Sequence, residues 1–244
     1  MRKIKSYSSW IKNQHAILLL VSLVFFLFVG PLIQDKGVVR IFYNLVMLLI
    51  AISGFVLIPK GNRGHLFTIL FYLNFLATLF DLFHLISSDL LISNIFWSVF
   101  FLKVLIEIFK LSLDPHNSST NAMINSISGY IILGIIGAVV LDFMQEMDFH
   151  VFKEKYPFYD LIYYSFVTMT TLGYGDITPV LKEGKSFAIV LTIAGQLYIT
   201  VVIAINLAKY LNRVSKEDAE DKFKVIEGKL DQLLKIKEDK DSIT

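Results

Sequence analysis

The sequence predicts an all-α membrane protein with six transmembrane helices. Hydrophobic residues make up 55% of its 244 residues, and the mean hydropathy of +0.62 is higher than a soluble domain can keep out of water. Apolar stretches long enough to cross a bilayer core of roughly 30 Å lie at residues 16–33, 38–58, 65–87, 90–113, 123–147 and 185–211. We therefore expect a multi-pass protein of the plasma membrane.

Basic residues beside the apolar stretches indicate the orientation of the chain. Arg2, Lys3 and Lys5 precede the first stretch, and Lys60 and Arg63 follow the second. Short loops rich in lysine and arginine stay in the cytoplasm, so we expect both termini on the cytoplasmic side. No small-residue cleavage site follows the first stretch, and we expect an uncleaved helix rather than a signal peptide.

Composition excludes several classes of protein. Cysteine is absent, so disulfides and thiolate metal sites cannot form. The net charge of +2 is small and the basic residues are scattered, which gives no reason to expect a nucleic-acid partner. The loops contain no evident carboxylate pair, nucleophile–base pair or metal-ligand cluster. We expect neither an enzyme nor a cofactor.

A shorter apolar segment followed by glycines lies between the fifth and sixth stretches. Residues 158–170 are too few to cross the bilayer and predict a short re-entrant helix. The residues that follow it are Thr171, Leu172, Gly173, Tyr174 and Gly175. Non-helical backbone at membrane depth is tolerated only inside protein or along an aqueous path. Because glycine adopts positive φ at little cost, Gly173 and Gly175 allow successive carbonyls to turn toward one axis.

A column of carbonyl oxygens is suited to a dehydrated cation. Rings of carbonyls from four chains can replace the hydration shell of K⁺, and the Thr171 hydroxyl would add a further oxygen layer. The C-terminal end of the short helix carries partial negative charge, which favours cations over anions. One chain cannot close the ring, so we expect a homotetramer in the lipid bilayer.

The segment from Thr171 to Asp176 resembles the filter signature of potassium channels, Thr-x-Gly-Tyr-Gly-Asp. Pro179 and Gly184 stand where two-helix bacterial potassium channels carry a proline and a glycine. The resemblance covers residues 123–211. It implies that K⁺, as the permeant ion, is coordinated by the carbonyls of Thr171, Leu172, Gly173 and Tyr174, with Gly175 supplying flexibility at the outer mouth.

The same resemblance implies supporting roles around the filter. Asp176 would lie behind it, with Tyr163 in reach of Asp176 and Tyr164 in reach of Tyr174; ordinary aromatic packing is the alternative for both tyrosines. On the sixth helix Gly195 would be a gating hinge or, alternatively, a close helix contact. The residues expected to line the cavity follow it at helical spacing: Gln196, Ile199 and Ile203.

The first four stretches resemble the sensor domain of voltage-gated-like channels without its arginine ladder. Between residues 90 and 113 the basic residues are Lys103 and Lys110, and Glu107 can pair with Lys103. Asp81 resembles the acidic residue of family sensors; a buried partner for Lys103 is the alternative. Moving one elementary charge across the membrane contributes only about 2.3 kcal/mol per 100 mV to gating. With so few basic residues, we expect a degenerate sensor and weak or absent voltage dependence.

These features divide the chain into four parts. We expect a four-helix voltage-sensor-like domain, a polar linker, a pore domain made of outer helix, pore helix, filter and inner helix, and a cytoplasmic amphipathic helix. They cover residues 1–113, 114–122, 123–211 and 212–244.

The C-terminal helix carries a short apolar seam. Its residues recur at spacings of three, four and three: Phe223, Ile226, Leu230 and Leu233. The seam is shorter than the ~3–4 heptads typical of a coiled coil. A short four-stranded bundle and an amphipathic helix with an unknown partner are the two alternatives for this segment. Ligand domains of roughly 100 residues do not fit after the last span, so ligand gating would require a separate regulatory subunit, the tail or the pore itself.

The sequence thus favours a subunit of a potassium-selective channel that conducts K⁺ passively. A non-selective cation channel is one alternative, although such channels typically depart from Tyr174 of the signature. A silent subunit or a non-conducting membrane assembly protein is another. A secondary potassium transporter is disfavoured because transporters repeat their pore unit within one chain, whereas the filter occurs once here.

Overall fold

The computed structural model describes residues 2–33, 36–58, 61, 63–82, 91–113, 119–147 and 151–241, and within them the chain is all helical, with no strand. A short 3₁₀ turn, Gly30–Leu32, follows the first helix. The α-helices of this part of the chain are α1 (Arg2–Phe28), α2 (Lys36–Leu57), α3 (His65–Leu82), α4 (Leu91–Leu113), α5 (Ser119–Glu146), α6 (Phe158–Met169) and α7 (Lys182–Asp241). The all-α class predicted from composition agrees with this architecture.

The apolar stretches of the sequence coincide with long helices. Among the described residues, two segments are long and apolar enough to cross a membrane, Ala122–Glu146 in α5 and Lys182–Leu230 in α7. Shorter apolar helical segments of 10–17 residues are Gln14–Phe28, Ile41–Leu57 and His65–Phe80. The short α6 covers the segment for which a re-entrant helix is predicted.

The helix α5 lies at the centre of the molecule. It contacts α1, α4, α6 and α7, while α1 to α4 pack in sequence as a bundle at its side. Ile132, Ile135, Ala138 and Leu141 of α5 have no exposed surface. A helix that is apolar on nearly every face is stable only when neighbours cover it, and four neighbouring helices meet this requirement here.

The side bundle has an apolar core with one polar clamp. Leu19, Leu23 and Phe100 are fully buried. The buried Asn74 donates from Nδ2 to the carbonyls of Leu70 at 3.0 Å, within α3, and of Phe96 at 3.3 Å, on α4. A buried amide is stable only when it is hydrogen-bonded, so this contact ties α3 to α4 at one register.

The linker between the side bundle and α5 is shorter than expected. The sequence predicts a linker over residues 114–122, but α5 already begins at Ser119. Serine, threonine and asparagine, the residue types at 119–121, are favoured at helix N-termini because their side chains can satisfy free amides there. Residues 114–118 lie outside the described part of the chain.

The helix α7 is continuous for 60 residues, a length of about 90 Å at 1.5 Å per residue. It passes Gly195 without interruption and continues beyond its apolar part into the charged tail. Phe223, Ile226 and Leu230 are 67%, 64% and 56% exposed. The side chain of Leu233 lies outside the described residues. The apolar seam of the tail is therefore uncovered within one chain.

Candidate functional site

The helix α6 is fixed to α5 through its buried face. Pro157, in an extended conformation with φ −62° and ψ 154°, is the N-cap residue of α6. Leu161 has no exposed surface. Ser165 Oγ donates to the Gly134 carbonyl of α5 at 2.7 Å. A Cβ at Gly134 would lie 2.5 Å from the Phe166 ring, so the missing side chain permits this close approach.

A glutamine clamps the loop that leads into α6. Gln145, near the end of α5, accepts from the Tyr156 amide at 2.9 Å and donates to the Tyr156 carbonyl at 3.1 Å. The side chain of Gln145 is only 6% exposed. Both backbone hydrogen-bonding groups of Tyr156 are thereby paired, which sets the entry to α6. No sequence pattern indicated this role, because the partner is backbone 11 residues away.

The C-terminal end of α6 rests on α7. Gln196 Nε2 donates to the Met169 carbonyl at 3.2 Å, and Thr192 Oγ1, which donates to Ala188 O at 2.8 Å, lies 3.5 Å from the Thr168 carbonyl. A Cβ on Gly195 would lie 2.7 Å from the Met169 carbonyl and would collide with the Met169 side chain. In this conformation Gly195 is a close helix contact.

The loop after α6 turns its amides back toward that helix. Thr171 N donates to Thr168 O at 3.0 Å, and the amides of Leu172 and Gly173 both donate to Val167 O, at 3.0 and 3.2 Å. Within the described part of the chain, no donor is recorded for the carbonyls of residues 171–175. The first three amides of the loop are therefore paired with α6, and the loop oxygens are left available.

Alternate residues of this loop have positive φ: Thr171 at 62°, Gly173 at 56° and Gly175 at 82°. In a strand, successive peptide groups point to opposite sides. Reversing the sign of φ at every second residue cancels that alternation, so successive carbonyls can face the same way. The glycines were predicted to take this conformation. Thr171 was not, because a β-branched residue rarely has positive φ.

Every residue from Thr171 to Asp176 is exposed in the single chain. Leu172 is 55% and Tyr174 66% exposed. Burying a large side chain stabilises by about 1.5–3 kcal/mol, so these two exposed side chains are available for contact with another molecule.

The two tyrosines predicted to support the loop have different surroundings. The Tyr163 hydroxyl donates to Asp176 Oδ2 at 2.6 Å, and this hydrogen bond is the main cause that lowers the pKa of Asp176 below its ordinary range. Tyr164 is 5% exposed, and its ring packs edge-on against Phe152 with centroids 5.1 Å apart. Among the described residues, no hydrogen bond or ring contact joins Tyr164 to Tyr174.

The predicted cavity residues lie on one side of α7. Gln196 contacts the end of α6, as described above. Ile199 lines a groove between α5 and α7 together with Tyr130 and Val202. The side chain of Ile203 lies outside the described residues.

The charged residues of α4 form a compact cluster. Lys103 Nζ and Lys110 Nζ both contact Glu107 Oε1, at 2.9 and 2.8 Å. The Glu107 side chain is 1% exposed, whereas those of Lys103 and Lys110 are 31% and 57% exposed. One buried carboxylate thus neutralises part of the charge of two lysines. The side chain of Asp81 lies outside the described residues.

Comparison with known proteins points to ion conduction. Residues 127–212 match the family model described as Ion channel. Over 91 residues the chain is 30% identical to two-pore potassium channel 3 of Arabidopsis thaliana, and over 94 residues 27% identical to two-pore potassium channel 2 of the same plant. Each match covers 37% of this chain and about a fifth of the relative, 20% and 21% respectively.

The matched residues include α6, the loop and the first half of α7, which are the elements that build the site described above. The matches support an ion channel within the potassium channel superfamily. They point to a channel and not to an enzyme.

Proposed function

We propose that the chain is one subunit of a homotetrameric, potassium-selective channel, with residues 171–175 as its selectivity filter. The observation that carries the proposal is the alternation of positive φ at Thr171, Gly173 and Gly175. Together with the inward pairing of the loop amides, it leaves a row of carbonyl oxygens without donors. Four such rows can replace the hydration shell of K⁺.

The surroundings of the loop fit a pore for cations. The loop begins at the C-terminal end of α6, which carries the partial negative charge of the helix dipole. Gln196 follows on α7 below this end and, with Ile203, would line the water-filled cavity, whereas Ile199 lies at the groove between α5 and α7. Asp176 and Tyr163 would hold the outer end of the filter through their hydrogen bond. The permeant ion would be K⁺.

The exposed residues of the loop support assembly. Leu172 and Tyr174, more than half exposed in one chain, would be covered by neighbouring copies around a four-fold axis. In this arrangement α1 to α5 and α7 span the plasma membrane, with both termini in the cytoplasm and residues 1–113 as a sensor-like domain beside the pore domain. Gating by a ligand could act through a separate regulatory subunit, the tail or the pore itself.

Voltage dependence is expected to be weak or absent. Lys103 and Lys110 share the buried Glu107 carboxylate, so the cluster carries a net charge of about +1 rather than +2. Moving one charge across the membrane contributes only about 2.3 kcal/mol per 100 mV. Breaking two contacts to a buried carboxylate in order to move the lysines would cost free energy of comparable size.

Ion flux into liposomes tests the proposal. The purified protein is reconstituted, and flux is compared under potassium and sodium gradients for the wild type, Gly173→Ala and Gly228→Ala. Neither glycine has a neighbour within 4 Å of a Cβ, but only Gly173 has positive φ. We expect potassium-selective flux that Gly173→Ala reduces at least tenfold, because the backbone there is strained for alanine, and that Gly228→Ala leaves unchanged.

Other outcomes separate the alternatives. Equal potassium and sodium flux would identify a non-selective cation channel. Absence of flux at every voltage and pH in protein shown to be folded would identify a silent subunit or an assembly protein.

A further inference from the structure

The tail of α7, residues 212–241, carries an apolar seam that faces water in the single chain. Phe223, Ile226 and Leu230 are 67%, 64% and 56% exposed. Their spacings of three and four place them on one side of the helix. Because contiguous exposed apolar residues mark an interaction surface, the tail offers this side to a partner.

Charged residues flank the seam, with one sign of charge on each side. With Phe223 and Leu230 at heptad position a and Ile226 at position d, glutamates fall at position e and lysines at position g. These residues are Glu220 and Glu227 at e, and Lys222 and Lys229 at g. The ion pair recorded within the described tail joins Arg213 to Glu217, so the flanking charges are available to another helix.

We propose that the tail binds the tails of neighbouring copies side by side in the same direction, with Lys222 of one copy paired with Glu227 of the next. The inference rests on the proposed homotetramer and deepens it. In parallel coiled coils a g residue meets the e residue five positions later on the neighbouring helix, and these two residues have that separation. Antiparallel tails would instead set lysine against lysine and glutamate against glutamate.

The apolar residues of the seam favour more than two strands. Leucine at position a combined with isoleucine at position d shifts coiled coils from dimers toward trimers and tetramers, and Leu230 and Ile226 occupy these positions. The helix α7 is continuous from Lys182 to Asp241. Four copies around one axis therefore direct their tails away from the membrane together, in the parallel arrangement that the charges favour.

A membrane surface is a poorer partner for this helix. Helices that lie on membranes are rich in lysine and arginine on their polar face, which the negative cytoplasmic surface attracts. Residues 216–230 contain four lysines and five acidic residues. The polar face of the tail thus lacks the basic excess that attraction to a membrane requires, whereas its two signs of charge complement a second copy.

Disulfide cross-linking of the full chain in liposomes tests the bundle. Because the chain contains no cysteine, one substitution introduces a single thiol. Ala219→Cys places it at the position d that precedes Ile226 by one heptad, and Val225→Cys places it off the seam at an exposed residue. We expect copper phenanthroline to link two copies about tenfold faster through Ala219→Cys, because d positions of parallel helices face each other.

Charge reversal assigns the contact to Lys222 and Glu227. In the Ala219→Cys protein, Lys222→Glu or Glu227→Lys alone should slow cross-linking about fivefold, because each sets like charges opposite each other. The two reversals together should restore the rate. Residues five apart point about 140° away from each other on one helix, so rescue requires contact between copies. Lys224→Glu, the matched control outside the pair, should leave the rate unchanged.

Mass photometry of the same protein separates this proposal from the proposed channel. We expect four copies, preferential cross-linking through Ala219→Cys and rescue by the double reversal. Four copies that cross-link equally at both positions, or without rescue, would overturn the bundle and leave the proposed channel intact. Fewer than four copies in the wild type would overturn both the bundle and the proposed homotetramer.

Discussion

Thr171 has a backbone conformation that costs a β-branched residue about 1–3 kcal/mol. Its own amide donates to Thr168 O, and the next two amides donate to Val167 O. Each such bond contributes about 1 kcal/mol, so the three together offset the strain. The conformation of Thr171 thus depends on the C-terminal turn of α6, and the loop and the helix form one unit.

The hydrogen bond from Tyr163 to Asp176 predicts a response to acid. The carboxyl lies in the loop outside the membrane-spanning helices, and its pKa is lowered below the ordinary value of 3.8, mainly by the Tyr163 hydroxyl. Because the pKa is lowered, the bond contributes its full stabilisation of the site above pH 3.8. This contribution is lost as the pH falls through the lowered pKa.

Tyr163→Phe should therefore raise the pKa of Asp176 toward 3.8. Acid inhibition of potassium flux should begin at a higher external pH than in the wild type, and the carboxyl ¹³C shift of Asp176 should titrate with it. Tyr72→Phe serves as the control for a tyrosine remote from the loop. An unchanged titration of Asp176 in Tyr163→Phe would contradict the assigned cause.

The conformation of the loop follows from the sequence only in part. Positive φ at Gly173 and Gly175 follows from glycine itself, because no Cβ opposes it. The positive φ of Thr171 arises from hydrogen bonds to α6, which no residue pattern contains. The same holds for Gln145, whose partners on Tyr156 are set by the path of the chain between α5 and α6.

At the scale of elements, Ser126 of α5 joins three helices. Its hydroxyl donates to Ala122 O at 2.6 Å and lies 3.2 Å from Ser112 Oγ of α4, while Asn206 of α7 donates to the same oxygen at 3.2 Å. A hydroxyl has one donor and two acceptor positions, so with Ser112 as donor every position is used. Ser112 and Ser126 are 1% and 5% exposed.

Ser126→Ala should destabilise the protein by about 1–3 kcal/mol, because it leaves the buried Ser112 hydroxyl and the half-buried Asn206 amide without their acceptor. Ser128→Ala is the matched control. Ser128 is also buried on α5, but within the described part of the chain its hydroxyl bonds only the Ile124 carbonyl of its own helix. Urea unfolding in detergent measures both. Equal destabilisation by the two substitutions would show that Ser126 does not link the helices.

The sequence predicted where the long helices lie but not the residues at which they begin and end. Apolar length predicted the long helices, since a bilayer-length apolar run leaves few other folds. The N-terminus of α5 was misplaced because Ser119, Thr120 and Asn121 are polar residues that suit both a linker and a first helical turn. The helix α7 continues to Asp241 because its charged tail is rich in lysine and glutamate, which have high helix propensity in water.

At the scale of the molecule, two helices of the side bundle pack on the α5 helix of their own chain. Both α1 and α4 contact α5, and Tyr159 Oη of α6 donates to the Leu27 carbonyl of α1 at 3.4 Å. On α7, by contrast, large apolar residues are exposed in the single chain. Ile189, Ile193 and Leu197 of α7 are 61%, 53% and 59% exposed and lie four residues apart on one helix face. Neighbouring copies would meet there.

The tail of α7 provides the clearest test of assembly. If four tails form a bundle, Phe223, Ile226 and Leu230 face its axis, because spacings of three and four keep one side of a helix inward. Ile226→Asp should then remove about 2 kcal/mol of apolar burial per chain and lower the temperature at which the oligomer dissociates. Val225 is similarly exposed, at 59% against 64% for Ile226, but lies off the seam.

Val225→Asp is therefore the matched control, and we expect its oligomer to dissociate at the wild-type temperature. Mass photometry of the detergent-solubilised protein after heating gives the fraction of each assembly. Equal dissociation temperatures for Ile226→Asp and the wild type would assign the tail to an amphipathic helix with another partner. In that case assembly would depend on the apolar face of α7 around Ile193 and on the loop at Leu172 and Tyr174.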